Sequence, residues 1–276
     1  VERVAQTLVT VNGRQRQSAS GLVYQADIVL TANHALERED ALTVQTPDGR
    51  TLPAELIGRD LPADLAVLRV VNLGLAAAVI TPEPARVGQW VLAVGRPSPE
   101  GPMASLGVVS AVGGPLKTSR GILLERYIQT DATPYPGFSG GSLIDPQGAA
   151  LGVLTSGLVN GVALAVPAPL AWRTAAALVK HGSVKRGYLG VSSQVVELPT
   201  QERNALLIMQ VQPDSPAARS GLLLGDILLS LGSIPLHAAE DLLAGLNGGQ
   251  VGQTIAVEIL RGGIPRTLHV TIGERS

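Results

Sequence analysis

Residues 137–154 read GFSGGSLIDPQGAALGVL, with Ser139 flanked by glycines. The pentapeptide Gly-Phe-Ser-Gly-Gly fits the loose G-x-S-x-G pattern of a nucleophile on a tight turn. Glycine and serine are also ordinary turn residues, so the pentapeptide alone is equally compatible with a plain loop. The residues after it are more decisive. The apolar run SLI leads into the turn chemistry Asp-Pro-Gln-Gly and a second apolar run, AALGVL, which together predict a hairpin. A serine followed directly by a helix would imply a different fold, and the residues after Ser139 do not read as one.

The chain from Thr7 to about Val166 is a succession of short β-runs broken by turn residues. LVTV, GLVY, DIVLTA, ALTVQT and TLPAELIG come first, the last two separated by PDGR. LAVLRVV, WVLAVG, GVVSAVGG, GILLERYIQT, SLI, AALGVLT and VALAVP come next. Many short strands with regular turn signals predict an antiparallel sandwich or barrel. Between Pro169 and His181 the period changes: the alanine-rich PLAWRTAAALVKH carries apolar residues at helical spacing, ends in a basic turn and stops at Gly182. GSVKRG then reads as a linker. From Tyr188 onward a compact α+β unit is expected. It has strands at YLGVSS and ALLIMQVQ, a short helix at SPAARSG, a strand at DILLSLG, a helix from about Ala238 to Leu246, and a closing hairpin over residues 254–272.

At 276 residues the chain has room for about two domains. A formal net charge of −1 with scattered basic residues leaves no electrostatic footprint for nucleic acid; Lys180, Lys185 and Arg186 form the nearest approach to a cluster. The absence of cysteine excludes disulfides, thiol catalysis and thiolate zinc sites. No Walker loop, dinucleotide fingerprint, zinc helix or calcium loop occurs, so no cofactor and no metal are expected. No apolar run approaches the length that spans a bilayer. The chain opens at Val1 rather than Met, and an upstream targeting or anchoring segment is expected.

Of the four histidines, His34 stands out because it follows the strand DIVLTA. Alone it reads as an incidental strand-end histidine. Asp64, just before the apolar run LAVLRV, reads alone as a turn residue. Order changes the reading, because His34, Asp64 and Ser139 run in the His, Asp, Ser sequence of chymotrypsin-like proteases. An α/β-hydrolase would need a helix after Ser139 with its Asp and His later, for example Asp241 and His269.

With TANHAL around His34, ADLAVLRV around Asp64, AVGRP, LGVVSAVG, YIQTDA and GFSGG in order, and VALAVP and VKRGYLGV across the linker, the chain resembles the HtrA (Deg) serine proteases. The resemblance covers nearly the whole chain. It implies a mainly β protein: a chymotrypsin/trypsin-like double β-barrel over residues 1–181, a linker at 182–186 and a small α+β PDZ domain over 187–276. It implies that His34 is the general base, Asp64 its orienting carboxylate, Ser139 the nucleophile, and the N–H groups of Gly137 and Ser139 the oxyanion hole.

Two features depart from the family. Phe138 stands where Asn is usual, and the preceding loop carries Pro134 and Pro136, which fix φ and remove donors. Those prolines either stiffen the oxyanion loop in a working shape or hold it in a resting one. Because no Asp adjoins the serine, activation by a freed N-terminus is not expected. Thr133 occupies the position that holds Asp in trypsin, so a substrate pocket formed by Thr133, Pro134 and Thr155 is expected to take small or medium aliphatic side chains.

In the second unit Tyr188, Leu189, Gly190 and Val191 correspond to the loop that receives a peptide's terminal carboxylate in PDZ domains. Leu242 and Leu246 either wall the pocket for the last side chain or pack into the core. The resemblance implies an endopeptidase acting on unfolded or misfolded proteins, with C-terminal peptides as partners of the PDZ unit. A catalytically silent peptide-binding or chaperone-like module, and an esterase of the elbow type, are the alternatives. Relatives usually work in the periplasm, at the cell surface or in organelles, so the resemblance implies an extracytoplasmic location, in the periplasm or at the cell surface. Many form trimers through N-terminal aromatic residues, and residues 1–23 contain none.

Overall fold

The structure is a computed structural model of residues 1–276, described except at 16, 115, 119–122, 160–161, 185–186, 199–202, 247–249 and 275–276. Lys185 and Arg186 of the expected linker therefore lie outside the described residues. The chain divides into two compact units, Val1–Val184 and Lys185–Ser276.

The first unit opens with one helical turn, α1 (Glu2–Ala5), and then β1 (Leu8–Asn12), β2 (Ala19–Gln25), β3 (Ile28–Ala32), β4 (Leu42–Gln45), β5 (Thr51–Asp60) and β6 (Leu65–Arg69). These six close into an antiparallel barrel in the order β1-β2-β3-β6-β5-β4. A second set comprises β7 (Trp90–Ser98), β8 (Gly101–Gly113), the short β9 (Leu116–Lys117) and β10 (Leu123–Leu124), then β11 (Tyr127–Thr130), β12 (Ser142–Ile144), β13 (Ala150–Thr155) and β14 (Leu164–Pro167). A second barrel closes in the order β11-β14-β13-β12-β7-β8. The expected single strand at 121–130 is instead divided, β10 pairing with β9 and β11 with β8 and β14.

Apolar alternation fixes the register of both barrels. Val9, Val11, Val23, Val29, Val44 and Leu68 fill the first interior. Val91, Ala93, Val109, Phe138, Leu143 and Leu154 belong to the second. A third cluster, with Leu8, Leu22, Leu30, Leu65, Val94 and Val153, draws on strands of both and seals one barrel against the other. Helix α2 (Ala168–His181) lies on this cluster through Leu170, Ala171, Ala175 and Leu178. It ends at Gly182, whose φ of +71° supplies the left-handed C-terminal turn.

The stretch after Ser139 is a hairpin. β12 and β13 pair antiparallel. In the turn between them the N–H of Gly148 donates to the carbonyl of Asp145, and the N–H of Ala149 donates to the Asp145 carboxylate. No helix follows the serine, which removes the geometry an elbow-type esterase requires.

The second unit contains β15 (Gly187–Tyr188), β16 (Val191–Leu198), β17 (Arg203–Val211), α3 (Pro216–Arg219), β18 (Ile227–Leu231), β19 (Ile234–Pro235), α4 (Ala239–Gly245), β20 (Thr254–Arg261), β21 (Ile264–Thr271) and β22 (Gly273–Glu274). Its main ladder runs β16-β17-β18-β20-β21, leaving β16 at an edge. Leu189, Leu206, Ile208, Leu228, Val257 and Ile259 are buried in its core.

Asp226 is buried there and accepts from Arg261 through both oxygens, at 2.7 Å each, and from the Leu223 N–H at 2.8 Å. Burial pushes its carboxyl up, but the Arg261 and Leu223 donors outweigh burial and hold it below the usual carboxylate range. A carboxyl depressed on folding stabilises above its unfolded pKa, and that stability is lost as pH falls through the folded value. Asp226→Ala is therefore expected to destabilise this unit at neutral pH, because it removes the acceptor of the Leu223 N–H and of Arg261. The penalty should shrink at acid pH, below the folded value, where the parent loses the same contribution. Urea midpoints of both chains at the two pH values test this, and an unchanged gap would contradict it.

Candidate active site

His34 lies in a single 3₁₀ turn, Asn33–Ala35, that follows β3 directly. Asp64 precedes β6 and adopts φ +53°, a left-handed conformation that aspartate tolerates better than most residues. That turn lets Asp64 bind the His34 segment twice by its own atoms. Its carbonyl accepts the Asn33 N–H at 2.9 Å, and its Oδ1 accepts the His34 backbone N–H at 2.9 Å. Oδ2 lies 2.5 Å from His34 Nδ1. The aspartate is buried and the imidazole largely so, with side-chain exposures of 4% and 15%.

A third donor completes the carboxylate. Thr155, at the end of β13, donates its hydroxyl to Asp64 Oδ2 at 2.5 Å and accepts the Gly157 N–H at 3.0 Å. Gly157 backs onto the pair so closely that a Cβ there would sit 2.4 Å from His34 Nδ1. Thr155 thus lines the pocket and also bonds to Asp64. With the carboxylate ionised, His34 Nδ1 must carry a hydrogen toward it, leaving Nε2 as the free acceptor.

Ser139 lies on the loop between β11 and β12 and is carried by the second barrel. Its hydroxyl lies 3.1 Å from the Ser156 hydroxyl, between Thr155 and Gly157. Tyr135–Phe138 forms a turn closed by the Phe138 N–H and the Tyr135 carbonyl at 3.0 Å. Proline at its second position and Gly137 at φ +85° at its third match a type II turn. Positive φ at the third position rules out type I, in which the Pro136–Gly137 peptide is flipped. The N–H groups of Gly137 and Ser139 have no acceptor among the described residues. Phe138 is buried in the barrel and meets Tyr135 edge to face, ring centroids 5.4 Å apart.

A pocket of about 170 Å³ opens beside this turn. Ala132, Pro134, Phe138, Leu154, Ala163 and Leu164 give it an apolar wall. Thr133 does not line it; it is exposed, with its N–H on the Ser105 hydroxyl. Gly137, Ser139 and Ser156 line it as well. The described residues contain no group of acidic, histidine or cysteine side chains able to hold a metal ion.

In the second unit Leu189 is a core residue, and Gly190 at φ +86° turns the chain into β16. The carbonyls of Leu189 and Gly190 accept from Ala217 and Gln212, while their N–H groups have no acceptor among the described residues. A Cβ on Gly190 would meet the Ser215 Cβ at 2.2 Å, so only glycine fits. Tyr188 donates its hydroxyl to the Gln212 side chain, and Val191 opens the edge strand. Leu242 is buried in the core and Leu246 packs half-buried against it, whereas Leu243 between them is exposed.

A sequence model of the trypsin-like peptidase domain matches residues 19–153, and one of the PDZ domain matches residues 187–272. A probable periplasmic serine endoprotease, DegP-like, of Ectopseudomonas mendocina is 35% identical over 95% of this chain and 58% of its own length. The periplasmic pH-dependent serine endoprotease DegQ of Escherichia coli is 32% identical over 92% of this chain and 58% of its own. The chain thus spans a little over half the length of these curated relatives. Among solved structures, the HtrA-type protease AlgW with a tripeptide superposes with a TM-score of 0.88 at 31% identity, covering 100% of this chain and 96% of that one. The serine endoprotease from Yersinia pestis gives 0.83 at 30% identity, covering 100% and 97%.

Proposed function

The chain belongs to the HtrA-type serine proteases, with a trypsin-like unit followed by a PDZ unit, and on that basis we propose that it is a serine endopeptidase acting on unfolded or misfolded proteins. The observation that carries the proposal is the Asp64–His34 pair beside a serine turn whose two N–H groups are unpaired among the described residues.

In this reading Ser139 attacks the scissile carbonyl as His34 Nε2 takes its proton. His34 then returns the proton to the leaving amine, and water repeats the sequence on the acyl-enzyme. Asp64 stabilises the imidazolium through contacts that are already made. The N–H groups of Gly137 and Ser139 receive the developing oxyanion. The type II turn supports a working rather than a resting arrangement, with Pro136 pre-setting the second position at little entropic cost. The Ser139 hydroxyl has to rotate from Ser156 to His34, as substrate binding tightens catalytic hydrogen bonds that are loose in a free enzyme.

One observation favours the alternative of a silent binding module: in the free chain the serine hydroxyl bonds Ser156 rather than the base. Incubating the chain with casein and a fluorophosphonate probe separates the readings. Cleavage with a labelled serine supports the peptidase; a folded chain that does neither, even with added C-terminal peptides, supports the module. In a peptide library, cleavage is expected after Val, Ala and similar residues, given the apolar wall and the absence of any carboxylate among the pocket-lining residues. Dominant cleavage after Lys or Arg would contradict that.

The PDZ unit is proposed to capture C-terminal tails by strand addition to β16, with the Leu189 and Gly190 N–H groups receiving the terminal carboxylate. Leu243 is the exposed candidate on α4 for the pocket wall; Leu242 serves the core. An extracytoplasmic location is proposed from the relatives named periplasmic.

A further inference from the structure

The backbone around the nucleophile can be followed peptide by peptide. The 137–138 peptide donates its N–H to Tyr135, and its carbonyl accepts from the Ser20 hydroxyl at 2.7 Å. The Phe138 carbonyl accepts from Gly141 at 2.8 Å. The Ser139 carbonyl accepts the Ser20 N–H at 3.0 Å, and Gly140 donates to Leu154 at 2.8 Å. The two N–H groups on this stretch with no acceptor among the described residues are those of Gly137 and Ser139, joined through the 137–138 peptide.

Ser20 is the side chain that holds that peptide. It is fully buried on β2, so it belongs to the first barrel while the turn belongs to the second. Its hydroxyl donates to Gly137 and accepts the Arg96 N–H at 2.8 Å, which fixes the direction of the hydroxyl hydrogen. Its own carbonyl accepts from Thr31 at 2.7 Å, so Ser20 is held in place itself. One residue therefore grips the carbonyls of both Gly137 and Ser139 from the far side of the turn.

We propose that Ser20 is a positioning residue for the oxyanion hole, its hydroxyl setting the tilt of the 137–138 peptide and hence the angle between the two donors. This rests on the peptidase reading of the site. Without the hydroxyl, the Gly137 carbonyl and the Arg96 N–H lose their partner together, and the peptide plane between the donors is free to rock. Small misplacements at a reacting centre cost up to about 100-fold in rate, and complete loss of one donor about 100- to 1,000-fold.

The test uses Ser20→Ala, which removes the hydroxyl, and Ser20→Cys, which is slightly larger and donates weakly, with Thr10→Val as the control. Thr10 is buried at the same junction, directly across the strand pair from Ser20, and donates to the Arg96 carbonyl at 3.0 Å, with no hydrogen bond to the turn among the described residues. Ser20→Ala and Ser20→Cys are expected to lose about 10- to 100-fold in kcat, with KM within about twofold. They should lose affinity for a peptidyl boronate, which mimics the tetrahedral species, by a similar factor. Thr10→Val is expected to be less stable but to keep kcat and boronate affinity. Should both Ser20 variants retain parental kcat and boronate affinity in a parent that acylates, or should Thr10→Val lose as much, the inference fails alone. A folded parent that does not acylate overturns it together with the peptidase reading.

Discussion

Ser139→Ala is expected to remove peptidase activity by at least about 10⁴-fold in kcat while leaving the fold and the PDZ unit unchanged. The substitution deletes one oxygen whose hydrogen-bond partner is the Ser156 hydroxyl at 3.1 Å, so little stability is at stake. The Tyr135–Phe138 turn, the bonds from Ser20 and the pocket wall all persist without it. Substrate binding should therefore survive, and the loss should fall on kcat. Residual activity above the water reaction is expected, since oxyanion donors and binding act without the nucleophile. Ser156 supplies a second hydroxyl at the same place, so the check is the site of fluorophosphonate labelling by mass spectrometry. Label at Ser139 in the parent and none in the variant is the expected result; label on Ser156 in either chain would reassign the nucleophile.

Asp64→Asn is expected to cost about 10⁴-fold in kcat with the geometry preserved. Each carboxylate oxygen already accepts: Oδ1 from the His34 backbone, Oδ2 from Thr155 and facing His34 Nδ1. An asparagine must place its NH₂ on one side or the other. On the Oδ1 side it meets the His34 N–H, donor against donor. On the Oδ2 side it donates to Nδ1, which drives the ring to the tautomer with its hydrogen on Nε2 and leaves it unable to take the serine proton. Steady-state rates over a pH series, with a boronate titration to count intact sites, check this. A variant within tenfold of the parent would mean that Asp64 holds the loop but not the tautomer.

The residues of the proposed triad are legible because each stands at a place that sequence marks: His34 after an apolar strand, Asp64 before one, Ser139 among glycines ahead of a hairpin. Their supporting residues are not. Thr155 reads as the polar end of a strand and is expected only to line the pocket, yet its hydroxyl reaches a carboxylate 91 positions earlier. Ser20 reads as one more small residue in SASGLV, and its bond to Gly137 crosses 117 positions. No local period or motif records which hydroxyl will face which carbonyl across two barrels. Leu242 and Leu243 show the same limit on a smaller scale, because helical spacing allows both and only burial separates core from surface.

Alternation, turn chemistry and residue order suffice for the two-unit order, the many-stranded first unit, the hairpin after the serine and the candidate triad. The double barrel follows from the family resemblance and is found, whereas the place of Thr133 outside the pocket and the type II geometry of the Pro136–Gly137 turn emerge only in the folded chain. So does the grip of one serine of the first barrel on the Gly137–Ser139 turn of the second. Periodicity records which face of an element is buried, whereas hydrogen-bond partners are set only when distant elements are brought within about 3 Å of one another.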